Sequence, residues 1–171
     1  SRRIQKNLSK EMEKASKDLD YEKAAVARDR IKALTQIQTS QKINQTNLTE
    51  ADVISIYKET GKTCVQVFFF RSKQNWGNQA FYPKHDPDDK LEDILGSFIS
   101  QFYENKTIPR LILTNCEVQD KKLIEKTFSE KDKKEIIIKI AKSKNEISIS
   151  NLAEKNAKQS LKQKLIQSDT N

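Results

Sequence analysis

The run from Thr63 to Arg71, TCVQVFFFR, constrains this chain more than any other stretch. Successive side chains of a strand point to opposite faces, so Val65, Val67 and Phe69 share one face while Cys64, Phe68 and Phe70 share the other. A strand that is apolar on both faces must be covered on both. Its flanks complete a meander. Asp52 to Lys58 (DVISIYK) alternates and ends at a Glu59-Thr60-Gly61-Lys62 turn, and Ser72 to Asn75 turns the chain again into a third strand, Trp76 to Tyr82. With Gly 3 and Pro 3, the chain is poor in the residues that an all-β fold of many tight turns requires.

Beyond the meander the period changes. A loop, PKHDPD, leads to Asp89 and Glu92, a helix-start pair. Leu91, Ile94, Leu95, Phe98, Ile99 and Phe102 then form a core-facing stripe. Pro109 precedes a buried strand, Leu111 to Thr114. A helix around Asp120 to Phe128 and a strand from Glu135 to Ala141 follow. Asn151 and Glu154 open a terminal helix with Ala153, Ala157, Leu161 and Leu165 on one side. The order βββαβαβα predicts an α/β domain in three layers, with the fourth and fifth strands parallel to the first because helical crossovers link them. A ribonuclease-H-like fold has this order, which by itself licenses no activity.

The chain opens differently. Ile4, Leu8, Met12, Ala15 and Leu19 form one helical stripe, and Tyr21, Ala24, Ala25, Arg28, Ile31 and Leu34 a second, with Asp20 placed to cap the second helix. A short turn between them makes an antiparallel αα-hairpin. Two helices of about four turns bury too little apolar area to stand alone, so the stripes pack either on the rest of the chain or on another protein. Gln36 to Thr49 (QIQTSQKINQTNLT) is polar and without period, and a tether of that kind favours the second reading. The organisation is a hairpin over 1–36, a linker over 37–50 and an α/β domain over 51–171. The chain starts at Ser1 rather than methionine, which points to a segment of something longer.

Thirty-two Lys and Arg against 24 Asp and Glu leave a net charge of +8, which favours polyanionic partners. Cys64 and Cys116 lie far apart and outside any CxxC spacing, which fits a reducing cytosol better than a disulfide scaffold. No apolar run approaches the ~18 residues of a membrane span, and no secretory signal is visible. His85, the one histidine, lies in a loop between Lys84 and Asp86, where exposed hydrogen bonding is the plain reading. No nucleophile motif, phosphate-cradling Gly-rich loop or zinc-ligand cluster is present.

A two-metal nuclease of the ribonuclease-H type needs carboxylates converging from the first strand, first helix, fourth strand and a later helix, because hard cations take oxygen ligands. Here Asp52 stands at the start of the first strand and reads as a strand-start or solvent residue, while the fourth strand ends in Asn115 with Glu117 beyond it. No catalytic residue, metal ligand or cofactor site is expected. Trp76, Phe81 and Tyr82 alternate with basic and amide residues, so Arg71, Lys73, Asn75, Trp76 and Lys84 are candidate nucleic-acid contacts on a hairpin rim; the alternative is that the aromatics are core. Lys131, Lys133, Lys134, Lys139, Lys142 and Lys144 form a second basic cluster, either a phosphate surface or a solvated edge.

Two passages carry a family resemblance. Leu8-Ser-x-Glu-Met12, Ala15-Ser, Leu19-Asp-Tyr-Glu22, Ala24-Ala, Arg28-Asp and Ile31-x-Ala-Leu34 resemble the UVR motif of bacterial nucleotide excision repair proteins. Ala51-Asp-Val-Ile-Ser-Ile, Cys64 to Arg71, Gln74-Asn-Trp-Gly-Asn, Phe81 to Pro87 and Gln101-Phe-Tyr103 look like the region after that motif in the UvrC subunit of the UvrABC excinuclease. The resemblance spans essentially the whole chain. It implies a cytoplasmic role in incising damaged DNA, with the hairpin pairing to the C-terminal helical hairpin of UvrB. Leu8, Met12, Ala15, Leu19, Tyr21, Ala24, Ala25, Arg28, Ile31 and Leu34 would then form the contact face. It also implies that this is the non-catalytic middle of such a subunit, since the family's two nuclease domains and helix-hairpin-helix modules have no match here. A stand-alone basic nucleic-acid-binding module, or a small metal-dependent nuclease using Asp52 and Glu117, are the other readings.

Overall fold

The computed structural model describes residues 30, 50–71 and 74–170, with the backbone alone at 74–76 and 168–170. Apart from Arg30, which is helical and exposed, the expected hairpin with its ten contact residues lies outside the described residues. So do the linker as far as Thr49, and Lys73.

Three antiparallel strands come first: β1 (Glu50–Glu59), β2 (Lys62–Arg71) and β3 (Gln74–Phe81). Glu59 pairs with Lys62, so the first hairpin turns on Thr60 and Gly61 alone, both at positive φ (51° and 75°). That is the primed turn whose twist matches a hairpin, and glycine supplies the second position without steric cost. Helix α1 (Leu91–Phe102) crosses over to β4 (Leu111–Thr114), and α2 (Lys121–Asp132) crosses to β5 (Ile137–Ile140). Helix α3 (Lys144–Thr170) ends the described chain. The sheet order is β3-β2-β1-β4-β5, with β4 parallel to β1 and β5 parallel to β4.

The two-faced strand accounts for the layering. Val65 and Val67 of β2, with Ile54 and Ile56 of β1, pack under Ile94, Leu95, Ile99 and Phe102 of α1 and Ile124 and Phe128 of α2. On the other face Phe68, Phe70 and Val53 meet Ile149, Leu152 and Ala153 of α3, and Cys64 meets Ala157 and Leu161. Alanines at 153 and 157 let the helix lie close to the strands. Glu125 Oε2 of α2 accepts from Ile138 N of edge strand β5 at 2.8 Å and Ser129 Oγ from Ile136 N, just before that strand, at 3.0 Å. These side chains take up edge N–H groups that would otherwise be offered to another strand.

Three local expectations are corrected. Asp52 is neither a strand-start nor a solvent residue: it is the third residue of β1 and 1 % exposed, because its side chain faces inward beneath Tyr103. The terminal helix begins at Lys144, a turn or more before Asn151 and Glu154. Ser143 Oγ accepts from Glu146 N at 3.1 Å while Glu146 Oε1 accepts from Ser143 N at 3.2 Å, a reciprocal capping box. Asp89 does not cap α1. Its Oδ2 accepts from Asp86 N, which closes the preceding turn, and Lys90 occupies the cap position without a side-chain bond.

Candidate functional site

Of the acidic residues that could serve a metal site, Asp52 lies on the sheet face covered by α1, beneath Tyr103 at that helix's C-terminal end. Asp52 Oδ1 accepts from Arg71 Nη1 at 2.9 Å and Oδ2 from the Tyr103 hydroxyl at 2.5 Å. Arg71 Nη1 also lies within bonding distance of the Ala51 and Phe70 carbonyls, so the guanidinium is tied to the strand ends. Burial raises the Asp52 carboxyl above its ordinary range, and the bonds from Tyr103 and Arg71 pull it partly back. Burial and the neighbouring Asp52 charge hold the Tyr103 phenol well above its usual value. Both carboxylate oxygens are thus occupied in a site closed to water.

Further along the sheet the chemistry is that of an amide. Asn115, just past β4, accepts from Ile56 N at 2.9 Å and donates to Ile56 O at 3.0 Å. It extends the β1–β4 ladder where regular pairing stops at Ile54 and Thr114. The same amide donates to Glu154 Oε1 of α3 at 2.7 Å and so pins helix to sheet. Asp52 and Ile56 are four residues apart on β1, about 13 Å at 3.3 Å per residue, far beyond the ~4 Å that separates the ions of a two-metal site. Glu92, Glu117 and Glu154 lie near Cys116, whose thiol is pushed up to about 11 by burial first and then by those charges. Among the described residues no group of three or more His, Cys, Asp and Glu side chains could hold a metal ion. A donor set of one closed carboxylate, one amide and scattered glutamates does not fit a two-metal centre. Asp52 and Glu117 do not form a shared site.

The expected nucleic-acid rim is divided by the fold. Arg71, at the end of β2, and Asn75 and Trp76, on the β3 backbone, lie at one end of the β2–β3 hairpin. Lys84 is exposed beyond the other end of β3, about 25 Å away along an eight-residue strand. Two of the three aromatics pack inward, partly buried: Phe81 meets the rings of Phe98 at 5.4 Å and Phe102 at 5.2 Å, and the Tyr82 hydroxyl donates to Ser160 O of α3. The second basic cluster is partly consumed as well. Lys131 donates to the Tyr103 and Glu104 carbonyls, Lys134 pairs with Glu50 at 3.3 Å and Lys139 with Glu146 at 3.0 Å. His85 bridges Thr63 Oγ1 and the Asp86 carbonyl, both at 2.7 Å, and so fastens its loop to β2.

Sequence reasoning missed the Asn115–Ile56–Glu154 stitch and the closure of Asp52 by Tyr103, because each joins residues more than 35 positions apart. An open cleft of about 440 Å³ between α1 and α2, lined by Asp93, Ser97, Gln101, Asp120 and Leu123 among others, also had no signal in the periodicity. No helix among the described residues is long and apolar enough to cross a membrane.

Two family models match the chain. The one described as "UvrC Ribonuclease H-like domain" covers residues 50–164, and the one described as "UvrB/uvrC motif" covers residues 2–37. UvrABC system protein C of Bartonella quintana is 42 % identical over 170 residues, covering 99 % of this chain and 25 % of that protein. The protein of the same name from Mesorhizobium japonicum is 39 % identical over 99 % of this chain and 25 % of its own length. That from Ruegeria sp. is 41 % identical over 99 % and 27 %. The chain therefore spans about a quarter of the length of the curated relatives it matches.

Proposed function

The chain belongs to the UvrC family, and from that membership we propose that it is the partner-docking and scaffolding portion of an excinuclease subunit in nucleotide excision repair. In this reading the machinery it serves incises damaged DNA in the cytoplasm. The hairpin holds it to UvrB through that protein's C-terminal UVR hairpin, and the segment itself uses neither metal nor cofactor. The observation that carries the reading is the pairing, in one chain, of a UVR motif with a ribonuclease-H-like body whose Asp52 is closed by Arg71 and Tyr103. A scaffold has a use for a buried carboxylate bonded on both oxygens; a nuclease needs that carboxylate open to metal and solvent.

The test is capture of purified UvrB by the tagged chain. Ala25→Glu places a charge on the helical stripe. It should abolish capture while the thermal transition of the α/β domain stays within about 2 °C of the parent, as expected for a change outside its core. Retained capture would refute the assigned face. Cleavage of damaged duplex by the chain alone with Mg²⁺, lost in Asp52→Ala, would instead favour the nuclease reading.

A further inference from the structure

We infer that the outer face of α3 is a phosphate-tracking surface for duplex nucleic acid, distinct from the β2–β3 rim and from the basic cluster at 131–144. Lys155, Lys158 and Lys162 are all exposed and spaced by three and four residues, so they stand on one face of the helix over about 10 Å of rise. Ala153, Ala157 and Leu161, on the other side, are fully or almost fully buried against the sheet. The stripe therefore has a fixed base. From Asn151 to Lys164 the exposed positions are one amide, one carboxylate and four lysines, and the carboxylate, Glu154, is bonded to Asn115.

Two of the lysines are held in place. Lys158 Nζ lies 5.8 Å from the centre of the Tyr57 ring, and Lys164 Nζ lies 3.9 Å from that of Tyr82. A ring face attracts a cation without neutralising it. Parking the ammonium groups there lowers the side-chain entropy that a phosphate contact would otherwise cost. The tyrosine rings are themselves partly buried in the cluster around Cys64, so they serve as supports rather than as stacking platforms for bases. Lys62 and Lys84 are exposed where β2 begins and just past Tyr82, and they extend the positive field beyond the helix.

The composition of the face selects the kind of partner. Protein interfaces are depleted in lysine and enriched in aromatics at their centres, whereas this face presents four lysines, one amide and a single carboxylate that is already bonded to Asn115. A 10 Å stripe matches about three base-pair steps at 3.4 Å each, and backbone contacts of this kind carry no sequence preference. The inference rests on the DNA-repair reading only for its choice of probe.

The experiment measures binding of the full chain to an undamaged ~20-bp DNA duplex by fluorescence anisotropy across a salt series. Lys155→Glu/Lys158→Glu/Lys162→Glu should bind at least about tenfold more weakly, with a log K against log [salt] slope shallower by about 3. The exposed lysines of Lys122→Glu/Lys126→Glu/Lys142→Glu give the same change in net charge elsewhere, and that variant should stay within about twofold of the parent. If the first triple does not melt cooperatively, Lys→Gln at the same three positions replaces it. Equal loss in the two triples would overturn the inference, as would no salt-dependent binding by the parent or equal competition by poly-glutamate. Ala25→Glu should leave this binding untouched, so failure of the docking reading and failure of this one are distinguishable.

Discussion

Replacing Tyr103 by phenylalanine isolates the closure of Asp52. The ring is 1 % exposed and packed edge-on against Phe102 (4.9 Å) and Phe128 (5.6 Å), so Phe keeps its place and only the hydroxyl is lost. That hydroxyl donates to a buried carboxylate, and a bond to a charged group contributes about 1.5–3 kcal/mol. A loss of about 2 kcal/mol at pH 7 is expected, which moves the urea midpoint down by about 1 M at an m-value of about 2 kcal/mol/M. The pH dependence makes the test sharper. Asp52 titrates above its ordinary range in the folded protein because it is buried. The native state therefore binds this proton at a higher pH than the unfolded chain does. Asp52 adds stability as pH falls through the interval from its folded to its unfolded value and removes it as pH rises through the same interval. Loss of the Tyr103 hydroxyl raises the folded value further, because a bond to the ionised form is gone. The deficit of Tyr103→Phe should therefore be largest at neutral pH and shrink as pH is lowered toward about 4, the unfolded value. Urea titrations of parent and variant at pH 7.5 and 4.5, followed by far-UV circular dichroism, measure both. A deficit under about 0.5 kcal/mol at pH 7.5, or one that grows on acidification, would refute the account of Asp52 as a carboxylate ionised in the fold and held by Tyr103.

Asn115→Ala removes both bonds to Ile56 and the link to Glu154, and should cost about 2 kcal/mol. Hydrogen exchange at the Ile56 amide should accelerate more than at Val53, in the middle of the ladder, and equal protection would show that Asn115 is dispensable. Glu146 is raised by partial burial, but bonds from Lys142 N, Lys139 Nζ and Ser143 N hold it below the usual range overall. Its contribution is present above its unfolded value near 4.3 and is lost as pH falls through the lower folded value. Glu146→Gln should cost about 1 kcal/mol at pH 7, as for loss of a cap, and progressively less as the pH is lowered below about 4, read from thermal melts across that range.

The elements of the α/β domain were legible because each is written in a local period. The two-faced pattern of TCVQVFFFR, the Thr60-Gly61 turn and the Leu91–Phe102 stripe each predict the element that forms. The parallel placement of β4 and β5 followed from the helices between strands, since crossover geometry leaves few alternatives. Boundaries were less legible. The true capping box at Ser143 and Glu146 is followed by Ile147-Ser-Ile149-Ser, whose alternation masks the stripe that Ile149, Leu152 and Ala153 begin, whereas Asn151 and Glu154 offered a false start inside the helix.

What the sequence determined by itself is the order and kind of these elements, the basic balance and the motif pattern that carries family membership. What the tertiary structure alone decided is the state of the chemistry-bearing side chains. Asp52 is buried because Tyr103, 51 residues away, closes over it. Arg71 points at a carboxylate rather than at a ligand, and Lys155, Lys158 and Lys162 of α3 share an outward face because Ala153 and Ala157 face the sheet. Local periodicity is a property of neighbours in the chain. Burial, partnership and titration are set by neighbours in space, and only the fold brings those neighbours together.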